Sequence, residues 1–262
     1  MTWQTKLIIG LLIFLPLYFA VAALGTKFGI WDFRFSLGTL IRTGGPIVLG
    51  AVGLVSLVLL LMALFKKPHG NWILPAIGVI VPIVGFVMLS AAGARGADNP
   101  IHDVSTDTGN PPEFSAETLA MREQVEANPL VDYQTPLGET EMYADADPEL
   151  AIRNTAQIIT DKYAELAPLP LAGATPSDGL AAVAAAMAEM GFADIRTDAA
   201  AGRVEGVAET FWFGFKDDVV ARIGENQIDF RSVSRVGRSD LGANAERIEK
   251  LRELVAEKIG QR

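Results

Sequence analysis

The chain has 262 residues, a formal net charge of −9 and a positive mean hydropathy of +0.29, a combination that indicates two unlike parts. Residues 1–97 hold seven bases against one acid (net +6) and residues 98–262 hold 15 bases against 30 acids (net −15), which excludes a uniformly soluble enzyme, a fully embedded transporter and a disordered chain. The absence of cysteine excludes disulfides and thiolate metal sites, and with two histidines we expect no bound metal and no cofactor.

Three apolar runs free of ionisable residues dominate the first part, at Leu7–Leu24, Pro46–Phe65 and Trp72–Ala92. A helix rises about 1.5 Å per residue, so each run reaches across a hydrocarbon core about 30 Å thick. Residues 1–97 are therefore predicted to be a membrane anchor with three transmembrane helices (about 7–24, 46–65 and 72–92), whose partner is the lipid bilayer. Without intramembrane charges, an ion-coupled transporter is not expected.

The flanking charges bear on orientation. If the N-terminus is inside the cell, three bases flank the helices on the inside and four on the outside, so the positive-inside rule does not decide the orientation. Lys6 precedes the first apolar run and the Lys66–Lys67 doublet lies in a short loop, and both favour an N-terminus inside the cell. We therefore expect a multi-pass protein of the bacterial inner (plasma) membrane with a periplasmic soluble domain.

Residues 98–148 are rich in Pro, Asn, Asp and Gly and are predicted to be an extended linker, with a short helix at Ala116–Ala127. The adjacent His102 and Asp103 invite a catalytic interpretation. Neighbours in sequence rarely orient one another as a dyad, so the interpretation is not favoured.

Residues 149–262 are predicted to be an acidic α+β domain, an antiparallel β-meander flanked by helices and preceded by the three-helix transmembrane bundle. Helical periodicity covers Pro148–Leu166, and a second helix capped by Ser177 ends at Gly191. The predicted strands and the final helix are Ala193–Asp198, Arg203–Phe215, Asp218–Ile223, Gln227–Arg235 and Ala243–Ile259.

The last predicted hairpin has a defined register. A turn at Gly224–Gln227 places Ile223 opposite Ile228 and Val220 opposite Arg231. One face is then apolar, while the other carries candidates for structural ion pairs: Asp218, Arg222 and Asp229, with Arg231 and Arg235.

The segment IDFRSVSRVGRSDLGANAERI (228–248) is the most distinctive in the chain. Guanidinium groups beside a glycine-rich helix entry suit phosphate or carboxylate, so the segment is a candidate anion site. The competing interpretation is internal pairing, of Arg231 and Arg235 with Asp218 and of Arg238 or Arg247 with Asp240. The candidate ligand-binding residues are Arg231, Arg235, Arg238, Asp240, Asn244 and Arg247.

This segment, preceded by TFWFGFKDDVVARI, resembles domain-of-unknown-function family 1499, whose pattern RSxSRxGxxDxGxNxxRI it matches. The resemblance covers about Tyr143–Ile259 and leaves out the apolar runs. It implies no substrate, cofactor or reaction. Members often follow export signals or membrane anchors, which implies an extracytoplasmic domain. Some carry an Asn-Cys segment near the start of the domain, where this chain has Asn99-Pro100-Ile101-His102.

Two functions follow as hypotheses. The first is a non-catalytic envelope protein whose domain binds another envelope protein or an anionic small ligand at the membrane surface. The second is a membrane-bound enzyme acting on a phosphorylated or carboxylated molecule, with Asp218 or Asp240 as acid or base and Arg231, Arg235 and Arg238 as the anion clamp. The lack of a nucleophile–base–orienter set favours binding. A domain of −15 disfavours nucleic acid.

Overall fold

A computed structural model describes residues 1–65 and 71–260. The Lys66–Lys67 doublet that bears on orientation lies outside the described residues. The chain divides into two compact units. Unit 1 comprises Met1–Arg95 with Thr210–Gly214, and unit 2 comprises Gly96–Glu209 with Phe215–Arg262.

Unit 1 contains three helices long and apolar enough to cross a membrane, as predicted. They are α1 (Trp3–Lys27), α2 (Gly45–Phe65), which continues from a π-helical segment at Phe35–Gly44, and α3 (Ile73–Asp98, whose last residues belong to unit 2). Thr2 caps α1 by accepting a hydrogen bond from the Thr5 amide at 3.2 Å. These helices fit a membrane-anchored protein.

Unit 2 is built on an antiparallel sheet in the order β1-β6-β5-β4-β3, with β2 also pairing to β6. Its strands are β1 Asp103–Ser105, β2 Leu169–Pro170, β3 Ala193–Asp198, β4 Arg203–Glu209, β5 Lys216–Ile223 and β6 Gln227–Ser234. Its helices are α4 Ala116–Gln124, α5 Pro148–Ala151, α6 Thr155–Lys162, α7 Pro176–Glu189 and α8 Ala243–Lys258, with 3-10 turns at Leu137–Glu139 and Glu141–Tyr143. The predicted α+β class is confirmed.

The β5–β6 hairpin has the predicted register, with Ile223 paired to Ile228 and Val220 to Arg231. Its apolar face packs in one core with side chains of α7 and α8, such as Met187. The core is continuous because α7 and α8 both present an apolar stripe to the same face of the sheet.

Several predicted boundaries move for local reasons. Asn154 starts a new helix with a capping box, so the single helix predicted over Pro148–Leu166 is α5 followed by α6. Thr175, not Ser177, caps α7. The strand predicted to run to Phe215 ends at Glu209, because Thr210–Gly214 turns the chain into β5.

The segment predicted as an extended linker, 98–148, is folded. It contributes β1 and α4, and its side chains enter the main core, among them Ile101, Val104 and Tyr133. Phe114 packs on the other face of the sheet against Val220 and Val233. This segment therefore covers the hairpin face on which the ion-pair candidates lie.

Candidate functional site

Arg231 projects from β6 on the face covered by residues 98–135, and it is almost completely buried. Its Nε and Nη2 donate to the two carboxylate oxygens of Asp103 at 3.0 and 2.6 Å. The Tyr133 hydroxyl also donates to this carboxylate, and so does the Val131 amide at 3.2 Å. Burial alone would lower the pKa of Arg231, but the Asp103 charge raises it above its ordinary value. The positive charge of Arg231 is thus balanced by the negative charge of Asp103.

Arg235 lies on the same face and shares its carboxylate with a second arginine. Its Nη2 donates to Asp218 Oδ1 at 2.6 Å and its Nε to Oδ2 at 3.0 Å. Arg122, from α4, donates to the same Oδ2, and its Nη2 donates to the Asn128 carbonyl at 2.7 Å. The side chains of Arg122, Arg235 and Asp218 are 5%, 13% and 1% exposed. Two cations thus meet one anion, which leaves a formal surplus of one positive charge in this cluster.

The opposite face of the hairpin joins β6 to α8 through polar side chains. Arg247 donates through Nη2 to Asp217 at 2.6 Å and through Nη1 to Ser232 at 2.9 Å. The buried Asn244 amide nitrogen donates to the Ser234 hydroxyl at 2.9 Å, and its oxygen accepts from Ser232 at 2.6 Å. Every one of these bonds ties the start of α8 to the sheet.

Asp240 caps α8. Its two oxygens accept hydrogen bonds from the backbone amides of Gly242 and Asn244, both at 2.8 Å. Burial raises the pKa of the Asp240 carboxyl above its ordinary value, and the two amides oppose that rise. The carboxylate is therefore engaged at a helix start.

Arg238 is the most exposed of the candidate arginines. Its Nη2 lies 2.6 Å from Asp145, a pair that is 45% and 76% exposed, and its guanidinium lies 5.5 Å from the centre of the Tyr143 ring. An exposed pair of this kind is worth at most about 1 kcal/mol. Arg238 is therefore free to exchange its partner at little cost.

The predicted residues do not form a single cluster. Alternation along β6 sends Arg231 and Arg235 to one face and the Ser232–Asn244–Arg247 group to the other. Arg235 pairs with Asp218 as predicted, whereas Arg231 pairs with Asp103 and Arg247 with Asp217. Asp103 and Arg122 were missed because they come from the predicted linker, and no spacing pattern indicates partners that lie more than 90 positions apart.

The remaining predicted ion pair is present. Arg222 and Asp229 face each other across the hairpin, and their closest nitrogen–oxygen distance is 2.8 Å. Arg222 also lies 3.2 Å from Asp107. The pair is a cross-strand contact at the far end of the same face.

His102 is buried beside this network. Its Nε2 lies 3.1 Å from the Pro129 carbonyl, and since a carbonyl only accepts, Nε2 carries the proton. Nδ1 is buried without a hydrogen-bond partner in the described part of the chain. Burial lowers the pKa of His102 below its ordinary value, so the ring is neutral.

Arg247 also lines a cleft of about 320 Å³ between the end of α7, the end of β4 and the start of α8. Its other charged lining residues are Glu209 and Glu246, so two carboxylates accompany one guanidinium. With more negative than positive side chains, this cleft suits an anion less well than the cluster of Arg122, Asp218 and Arg235, which has a surplus positive charge. Within residues 1–65 and 71–260, no group of three His, Asp or Glu side chains is placed to hold a metal ion.

A family model described as "Protein of unknown function (DUF1499)" matches residues 103–255, more than half of the chain. The chain therefore belongs to this family. No curated protein matches the chain, and no solved structure does either. The matched range begins at the first residue of β1, so the family domain includes the segment that supplies Asp103 and Arg122.

Proposed function

We propose that this protein is a membrane-anchored, non-catalytic binding protein of the bacterial envelope. In this proposal its periplasmic domain holds an anionic small ligand, a phosphate or a carboxylate, at the cluster of Arg122, Asp218 and Arg235. The observation that carries the proposal is the charge balance of this cluster: two guanidinium groups share one buried carboxylate.

A buried charge is costly unless an opposite charge compensates it, so a cluster with a surplus cation favours an added anion. Arg235 is the more accessible of the two arginines, and its planar fork suits two-oxygen recognition of phosphate or carboxylate. Arg238 follows three residues later. Its exposed pair with Asp145 and its contact with the Tyr143 ring are both weak, so it offers a second contact.

The net negative charge of the domain opposes the binding of an anion only weakly, because most of that charge lies far from the cluster and is screened. Charges in water are screened over about 8–10 Å at physiological ionic strength. The surplus cation next to a bound anion acts over a much shorter distance and in a partly dry environment. Local charge therefore outweighs the net charge of the domain.

The contacts of the two aspartates give less support to the alternative of a membrane-bound enzyme. Both oxygens of Asp218 accept from guanidinium groups, and both oxygens of Asp240 accept from backbone amides. A general base needs a free oxygen within reach of the proton it takes. Asp218 offers none, because each of its oxygens accepts from two guanidinium nitrogens, and each oxygen of Asp240 is already bonded to a backbone amide at the start of α8.

The proposal is tested by thermal unfolding of the full chain in nanodiscs, with inorganic phosphate added at constant ionic strength. We expect phosphate to raise the Tm of the wild type, by an amount equivalent to about 2.7 kcal/mol at a hundredfold excess over Kd. Arg235→Gln starts from a lower Tm, because Asp218 loses its two-oxygen partner, and it loses the phosphate-dependent increment.

Arg153→Gln is the matched control, because Arg153 forms an exposed pair with Asp161 at 2.5 Å in the same domain. This variant keeps the full increment. An equal rise in Arg235→Gln, or no rise in the wild type, contradicts the proposal.

A further inference from the structure

The loop Thr210–Gly214, between β4 and β5, reads TFWFG and presents two large aromatic side chains to solvent. Phe211 is 73% exposed and Trp212 53% exposed. Their rings pack edge to face with centroids 5.2 Å apart. Exposed aromatic side chains that lie together, rather than singly, are candidates for a contact surface.

The loop is a closed turn. The Gly214 amide donates to the Thr210 carbonyl at 3.0 Å, and Gly214 has a φ of +66°, which a side chain would strain. The turn therefore holds the aromatic pair at its tip in a fixed conformation, so little conformational freedom is lost when the pair is buried.

Unit 1 itself indicates what covers the pair, because Thr210–Gly214 belongs to the same compact unit as the candidate membrane spans. Lys27, the last residue of α1, donates from Nζ to the Phe211 carbonyl at 2.8 Å. The same ammonium lies 5.1 Å from the centre of the Phe211 ring. The loop therefore lies at the level where a membrane span ends.

A lysine at the end of a span lies in the headgroup region, and tryptophan is enriched at that depth because it joins an apolar ring to a polar N–H. We infer that Phe211 and Trp212 insert into the headgroup region of the bilayer, so that the β4–β5 loop is a second membrane contact of the chain. This inference rests on the membrane anchoring contained in the proposed function.

The experiment uses the absence of cysteine from the chain, which allows a nitroxide label at one introduced cysteine per variant. The full chain is reconstituted in vesicles of phosphatidylethanolamine and phosphatidylglycerol. Collision of the label with oxygen and with a water-soluble nickel chelate is then measured by electron paramagnetic resonance. Trp212→Cys reports on the loop, and Phe211→Cys provides a second position if the first variant folds poorly.

Two controls fix the scale. Ala200→Cys lies in the exposed turn at the other end of β4, and Ile83→Cys lies at an exposed position within α3. We expect the nickel chelate to collide with the loop label at least about fivefold less often than with the Ala200→Cys label, as insertion requires. A loop label as accessible as that at position 200 overturns the inference. This is also the result expected if a partner protein, rather than the bilayer, covers Phe211 and Trp212. A water-accessible label at position 83 overturns the anchoring itself, which separates the two failures.

Discussion

Two arginines four positions apart, the buried Arg231 and the partly buried Arg235, have different charge environments. Arg231 has Asp103 to itself, whereas Arg235 shares Asp218 with Arg122. Removing one partner of a buried pair costs about 3–5 kcal/mol, because the other charge is left buried and alone. The Arg231–Asp103 pair is therefore accounted for by its contribution to stability. Stability does not require a second arginine at Asp218, so the shared carboxylate of Arg235 calls for another explanation.

His102 predicts a pH dependence of stability. Burial lowers its pKa in the folded state below the ordinary 6.5. The neutral ring therefore contributes stability that is fully present above pH 6.5 and is lost as the pH falls through the lowered pKa. His102→Gln keeps a donor for the Pro129 carbonyl and cannot be protonated, so its stability falls less in acid.

The measurement for His102 is urea unfolding of the full chain in detergent at about pH 7 and about pH 5, within the titration range of histidine. The wild type loses more free energy of unfolding between the two conditions than His102→Gln does. Equal losses in both proteins show that the ring does not titrate on unfolding.

At the scale of elements, the β5–β6 hairpin was predictable because its side chains alternate with period two around a short turn. The three apolar helices were predictable from length and lack of charge. Strand β1 was not, because three residues at Asp103–Ser105 carry no periodicity and pair with residues about 130 positions away. Asp103, the partner of Arg231, lies on that strand, and Arg122 comes from the same segment. The Arg235–Asp218 pair could therefore be predicted from the hairpin, but the sharing of Asp218 with a second arginine could not.

Gly202, in the β3–β4 turn, is predicted to be more sensitive than Gly191 at the end of α7. Both have a positive φ, of +61° and +76°. A Cβ at Gly202 would lie 2.6 Å from the Ile223 carbonyl oxygen, whereas a Cβ at Gly191 would have no neighbouring atom within 4 Å among the described residues. Gly191→Ala costs about 1–2 kcal/mol for the left-handed conformation. Gly202→Ala costs roughly 3 kcal/mol or more, because backbone must also move.

Urea unfolding of the two glycine variants, side by side, checks this difference in free energy. The Gly191→Ala variant serves as the control for the backbone conformation alone. Equal losses in the two variants would mean that the β3–β4 turn relaxes away from β5 without cost.

For the whole molecule, the opposite charges of its two parts correspond to two compact units. A +6 segment supplies the apolar helices, and a −15 segment supplies the family domain. Within that acidic domain the arginines do not form a single cluster but belong to two polar layers, one on each face of the β5–β6 hairpin. One layer, with Asn244 and Arg247, hydrogen-bonds the start of α8 to the sheet. The other, with Arg122 and Arg235, contains the surplus positive charge.

The most direct test of that surplus is isothermal titration of inorganic phosphate into the full chain in nanodiscs, for the wild type and for Arg122→Met. The variant leaves Arg235 and Asp218 as a neutral pair and keeps an apolar side chain of similar length on α4. We predict that it binds phosphate at least about tenfold more weakly, equivalent to about 1.4 kcal/mol. Phosphate binding of the same affinity in both proteins would contradict the account.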